Sequence, residues 1–310
     1  MNEDSSGCGK MTKGDMGMTD IPDKTRMADS NLGVPDDAVQ DDANIAEKKL
    51  LNETLEYFEN NSVPFSDAII QIASQNDFTL IGESHLSECK EMRLSLIKSL
   101  GMLKDQGVTH LAVEADFHRQ EMLDSLDFTN ENIFGQLKKI MPFSWDDNNI
   151  KLIIAAKLIG IKVVCIDAEN QETNDADYQN RRDETMYSII KEADPAKMII
   201  LIGRGHVKKH LAERAPCQRT GQNEPVKRIG TWLAEDKTKS VSSIRNVISS
   251  GNINGLAFSM SYCVKARDLS SSQKERGCYI VPDDGPFAGD QRVTGSDYVA
   301  VTIESNDSRL

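Results

Sequence analysis

The chain has 310 residues, 39% of them hydrophobic, with a formal net charge of −13 and a pI near 4.9. That length accommodates one large domain or two small ones around a sizeable core, and the acidic balance repels phosphate backbones, which sets nucleic acid aside as a partner. No window approaches the roughly 18 apolar residues of a membrane span, and the opening residues do not resemble a signal peptide, so the expected compartment is the cytoplasm, with secretion by a non-Sec route as the alternative.

Residues 1–42 are rich in Met, Asp, Ser and Gly and show no apolar face. Such a composition cannot offset its own ordering entropy and reads as a disordered acidic leader. The remainder, 43–310, reads as one domain. From Ala43 to Asn60 the positions Ile45, Leu50, Leu51, Leu55 and Phe58 suit an amphipathic helix, and Pro64 opens a second, Ser66–Ser74. Strands and helices then alternate. The strand candidates are Phe78–Gly82, His110–Glu114, Lys162–Asp167 and Met198–Gly203, with helical patterns at Glu88–Lys104, Asp146–Ile159 and Arg182–Glu192 between them. Near-continuous apolar strands separated by helices predict an α/β fold, a mainly parallel sheet with helices on both faces and right-handed connections. The irregular stretch Phe117–Phe143 holds enough apolar residues for two or three short helices, a cap insertion after the second of these strands. Beyond His206 come a polar loop (Ala215–Pro225), a helix (Arg228–Asp236) and strands near Ser240–Ile248, Leu256–Met260 and Tyr298–Glu304. Residues 265–296, rich in Ser, Gly, Asp and Pro, read as a long surface excursion.

The six cysteines form no CxxC pair and no disulfide ladder. Cys165 falls inside an apolar strand, where a reduced thiol acts as a small hydrophobe.

Chemistry-bearing side chains gather at the strand ends: Glu83 and His85, Glu114 with Asp116, Asp167 with Glu169, and His206 after Gly203-Arg204-Gly205. Parallel strands bring their carboxyl ends to one edge, the edge where such sheets place ligands. Glycine at 82, 203 and 205 would permit sharp turns and close approach to a ligand. The pattern Gly-x-x-His occurs twice, at Gly82–His85 and Gly203–His206, each time after an apolar strand. Two imidazoles and two carboxylates (His85, His206, Glu83, Glu114) form a donor set suited to Mn, Fe, Co or Zn. Without a metal, the same set is a histidine general base held by a carboxylate. Arg181, Arg182, Arg204, Lys208 and Lys209 would form a cationic rim that attracts a carboxylate or phosphate ester and stabilises an oxyanion. Ser84 lacks the second glycine of a nucleophile elbow, and adjacent Ser and His in an extended chain point to opposite faces.

The segments LIGESHLSECKEMRLSLIKSL and GVTHLAVEADF resemble the opening of the superfamily that contains erythromycin esterases, ChaN-type haem-binding lipoproteins, TraB/PrgY proteins and TIKI proteases. Arg182-Asp183-x-x-Met186 is similar to that group's Arg-Asp-x-x-Met helix, ILIGRGHV to its second Gly-x-x-His, and Trp145 sits where ChaN-like chains often have a Trp. The similarity covers roughly residues 75–250. It implies that Glu83, His85, Glu114 and His206 line one site, with Arg182 and Asp183 nearby. In the esterases the first histidine activates water, in TIKI proteases the equivalent groups depend on a divalent metal, and the haem-binding branch ligates haem. The chain departs from the lipoproteins in lacking an apolar run before Cys8, while Gly-Arg-Gly-His is closer to the ChaN type. The expectation is a hydrolase of an ester or amide bond in a small-molecule or peptide substrate. His85 would activate water, Glu83 and Glu114 would orient it or bind metal, His206 would be a second ligand or acid/base, and Arg182, Asp183 and Arg204 would bind substrate. The alternatives are a haem- or metal-binding module without turnover, and a secreted bacterial effector acting on a host target.

Overall fold

The computed structural model describes residues 49, 52–53, 56–83, 89–141, 145–168, 175–209, 213–247, 277–282 and 296–303. The leader and the strand expected at Leu256–Met260 lie outside the described residues. After helical residues 56–61 come a two-residue strand Val63–Pro64 (β1), helix Phe65–Gln75 (α1), Phe78–Glu83 (β2), Lys90–Asp105 (α2) and His110–Asp116 (β3). A 3-10 turn, Phe117–Arg119, leads into Gln120–Asp124 (α3) and Ile133–Ile140 (α4). Asp147–Leu158 (α5), Lys162–Asp167 (β4), Ala176–Glu192 (α6) and Met198–Gly203 (β5) follow. Then come the hairpin Glu213–Pro216 (β6) and Asn223–Val226 (β7), helix Ile229–Glu235 (α7), and strands Val241–Val247 (β8), Gly277–Pro282 (β9) and Tyr298–Ile303 (β10).

Eight strands form one sheet in the order β1-β9-β10-β8-β2-β5-β3-β4. From β10 to β4 every pairing is parallel, and β9 is antiparallel to both β10 and β1. The α/β architecture expected from the alternating runs is therefore present. All six residues of β2 are buried, as a central strand covered on both sides requires. Ile81, Val113, Cys165 and Leu201 face a core shared with α1, α2, α4 and α5. Leu80, Ala112, Ile166 and Ile202 face a second core under α6 and α7. The chain steps outward from β2 to β3 and β4 through α2 and α5, then steps back to β5 and on to β8 through α6 and α7. Helices change face where the direction of travel reverses, which is what crossovers of a single hand demand.

The cap insertion lies along the lateral edge of the sheet. Gln120 donates from Nε2 to the Val163 carbonyl at 3.1 Å and accepts from the Cys165 N–H at 2.8 Å, so one side-chain amide occupies the free side of edge strand β4. Leu123, Ile133, Leu137 and Met141 anchor the insertion in the first core. Burial pushes the Cys165 thiol up to about 12, so it stays protonated and acts as packing.

Three expectations are corrected. The polar stretch 215–225 is mostly the β6–β7 hairpin, whose inward residues Ala215 and Val226 close a small core with Ala176 and Cys217. The stretch 265–296 contains β9, a sheet member with Cys278, Tyr279, Ile280 and Val281 buried. Helix α6 begins at Ala176, six residues before the expected start, because the Asp175 carboxylate accepts the Tyr178 N–H and caps a polar first turn.

Gly82 serves a close approach of backbone. A Cβ there would lie 2.9 Å from the Cα of Arg204 and 2.9 Å from a methyl of Val207. The turn after β5 thus packs directly on β2, and the approach is chain to chain. Gly82→Ala is expected to lower stability by about 1–3 kcal/mol, the usual range for overpacking, read as a shift of the denaturant midpoint at unchanged slope. An unchanged midpoint would show that the turn can move away freely.

Candidate functional site

The carboxyl ends of β2, β3, β4 and β5 bring several of the expected residues to one edge, but to two different faces. Glu83 shares the side of Ile81. It is 3% exposed and accepts from Arg93 Nε at 2.7 Å. Arg93, on α2 and 0% exposed, also donates from Nη1 to Asp146 at 2.9 Å. Asp146 in turn accepts the N–H groups of Asn148 and Asn149 and caps α5. This carboxylate–guanidinium–carboxylate triplet, buried at Glu83 and Arg93 and partly exposed at Asp146, ties the end of β2 to two helices.

Glu114 shares the side of Ala112 and faces α6. Its Oε1 accepts from Arg182 Nη2 at 2.7 Å, and its Oε2 accepts the Gly203 N–H. Arg182 also forms a two-point fork on Asp167, Nε to Oδ1 at 2.7 Å and Nη2 to Oδ2 at 2.8 Å. Among the described residues its Nη1 has no hydrogen-bond partner. Burial raises the Asp167 carboxyl in spite of Arg182, with the Glu114 charge acting in the same direction as burial. Arg182 itself is held above the usual guanidinium range: burial acts against this, but Asp167 and Glu114 outweigh it.

His206 sits in the turn after β5 and is 7% exposed. Its Nδ1 is 2.7 Å from Asp183 Oδ1 on α6, and its Nε2 lies 3.8 Å from Glu114 Oε1, too far for a direct hydrogen bond. Asp183 is 0% exposed and firmly seated. Its Oδ1 also accepts the Ile229 N–H at 2.8 Å, and Arg228 Nη1 lies 3.4 Å from Oδ2. Arg228 is fixed in turn by Glu213 and Gln179. In the neutral ring the Nδ1 proton belongs on the Asp183 bond, which leaves the Nε2 lone pair on the side of Glu114.

Burial alone would depress the His206 pKa, but the charges of Asp183 and Glu114 raise it above the ordinary value. A raised histidine contributes stability that is fully present below its unfolded pKa and is lost as pH rises through the folded one. Thermal stability is therefore expected to fall on going from pH 6 to pH 8, and this slope should be absent in His206→Gln. Equal slopes in the two proteins would assign the dependence to other groups.

The expected residues thus divide. Glu114, Arg182, Asp183 and His206 meet on the α6 side, Glu83 stands on the α2 side, and His85 and Glu169 lie outside the described residues. Of the cationic rim, Lys208 pairs with Glu213 and Lys209 with Asp297. Arg204 is exposed and carries no ion pair among the described residues. Gly205 has open space where a Cβ would sit, in contrast to Gly82. Among the described residues, no three His, Cys, Asp or Glu groups are arranged to hold a metal ion. Glu83 and Glu114 are each engaged by an arginine, and His206 is enclosed by Asp183, Glu114 and Arg182, a charged wall rather than an apolar slot for a porphyrin. His85, the fourth member of the expected donor set, lies outside the described residues.

Sequence reasoning missed Arg93, Asp146 and Arg228. Arg93 had a signal, since it lies in register with Leu96 and Leu100 on the apolar stripe of its helix. Asp146 was the cap of a helix already expected there. Arg228 had none.

No protein-family model matches the chain, and no curated protein matches it. Among solved structures, it is similar to the type III effector HopBA1, at 16% identity and a TM-score of 0.47, over 80% of this chain and 99% of that one. It is also similar to ChaN of Campylobacter jejuni, solved with cofacially bound haem, at 14% identity and a TM-score of 0.38, over 60% and 87% of the two chains. A third is RRSP, a MARTX toxin effector domain from Vibrio vulnificus, at 16% identity and 0.33, over 58% and 39%. All three scores lie below 0.5, so the function is argued from the chain's own residues.

Proposed function

We propose that this domain is a hydrolase of an ester or amide bond in which His206 is the acid/base. The observation that carries this reading is the asymmetry of the imidazole. Nδ1 is fixed by the fully buried Asp183, while Nε2 faces Glu114 across 3.8 Å without bonding to it. A carboxylate-oriented imidazole with a free Nε2 is the device that hydrolases use to move a proton during acyl transfer. Nε2 takes a proton from water as the water oxygen bonds to the substrate carbonyl carbon. The carbonyl π electrons move onto oxygen, and the free Nη1 of Arg182 offers a charged donor to that oxyanion. Collapse breaks the bond to the leaving group, which receives the proton from Nε2. Glu114 and Asp167 act as positioning residues that fix the plane of Arg182. Asp183 does the same for His206. His85, two residues beyond Glu83, would supply a second imidazole, and Arg204 an exposed cation for the substrate.

The reading is tested with a panel of p-nitrophenyl esters and fluorogenic peptides. Turnover by the wild type that His206→Gln loses supports it. Wild type no faster than this variant across the panel overturns it.

A further inference from the structure

An open cleft of about 520 Å³ runs along the outer side of α6, beside the site just described. Its floor is apolar, formed by Phe117 and Ile189, and its rim carries Glu184 and Glu192. Arg181 stands at the end nearest Arg182. Thr185 and Ser188 complete the rim, and their hydroxyls donate to the backbone carbonyls of Arg181 and Glu184. With those protons engaged, the two hydroxyls present lone pairs outward, as the carboxylates do. Apart from Arg181, the polar residues of the rim therefore offer acceptors. Glu184 and Glu192 are exposed and carry no ion pair among the described residues, unlike Asp177 on the same helix, which pairs with Arg219 at 2.8 Å.

We infer that this cleft binds an extended peptide segment carrying two basic side chains. An apolar floor beneath an acceptor rim matches lysine and arginine, whose hydrocarbon stems lie on apolar surface while their heads donate outward. Glu184 and Glu192 are eight residues apart on one helix, about 12 Å at the helical rise. That span matches about four residues of extended chain, whose side chains at alternate positions share a face. The basic residues are thus expected four positions apart. The inference deepens the hydrolase reading by naming a basic peptide as the substrate class, but binding can be measured without turnover, so either can fail alone.

The experiment is fluorescence anisotropy of the full chain with a short labelled Gly/Ser peptide bearing two lysines four positions apart. The Glu184→Lys/Glu192→Lys variant should bind it at least about tenfold more weakly. The variant Glu121→Lys/Glu131→Lys changes net charge equally at exposed acids on the cap insertion and should bind as the wild type does. Equal losses in both variants would reduce the effect to general attraction by an acidic protein and overturn the inference. Undiminished binding by the first variant would overturn it too, as would equal affinity for a peptide with adjacent lysines or for free spermine.

Discussion

Arg93→Met is expected to destabilise the domain by about 3–5 kcal/mol, the cost of removing one partner of a buried ion pair. Methionine is close to arginine's stem in shape, so the loss is mainly electrostatic. Glu83 is 3% exposed, Arg93 is 0% exposed, and the two meet at 2.7 Å. Asp146 loses its guanidinium contact in the same step, which loosens the cap of α5. Arg93→Lys keeps the charge but not the fork, since one ammonium cannot reach Glu83 and Asp146 in the same directions. It should fall between wild type and Arg93→Met. Adding Glu83→Gln to Arg93→Met should recover part of the loss, because the two residues are in contact and their effects are not additive. Urea denaturation of the set is the measurement. A loss below about 1 kcal/mol in Arg93→Met would show that the ion triplet is not what joins β2 to α2 and α5.

His206→Gln is expected to lower kcat by about 10³-fold, within the usual contribution of a positioned acid/base group. KM should change little, because Arg182 and Arg204 are untouched. Asp183→Asn should produce a comparable loss for a different reason. A side-chain amide in place of the carboxylate favours the wrong imidazole tautomer and removes the charge that raises the His206 pKa. The acidic limb of the rate profile, which reports loss of the neutral base, should therefore move to lower pH in Asp183→Asn. A uniform fall in rate with an unmoved limb would make Asp183 a purely structural residue, bound to the Ile229 N–H and Arg228.

The strands nearest the site were legible because a strand covered on both sides is a nearly continuous apolar run, as in FTLIG, HLAV, KVVCI and MIILI. The same property hid the most consequential feature. When both faces are apolar, alternation does not reveal which side a strand-end acid will take. Glu83 and Glu114 therefore looked equivalent, although one faces α2 and the other α6. Parity shows it only once the two cores are known, Ile81 falling in the first and Ala112 in the second. Strand β9 escaped notice because a short buried run, CYIV, sits among Gly, Asp, Ser and Pro, and sheet pairing with distant β10 overrides those neighbours. The first turns of α6 escaped because their residues are polar and the helix there is held by a cap and by the β6–β7 hairpin. The Asp183–His206 contact joins positions 23 apart in sequence, and only the return of α6 to β5 sets its 2.7 Å.

Among the described residues both borders of the sheet are partly covered. At one side Gln120 already holds the Val163 carbonyl and the Cys165 N–H of β4. At the other, β1 is two residues long and ends in Pro64, which has no N–H to give. A stray strand from another molecule meets a partly occupied ladder at β4, which disfavours strand addition there. Helix α3 thereby shields part of that border, and a change at Gln120 would be felt first in solubility.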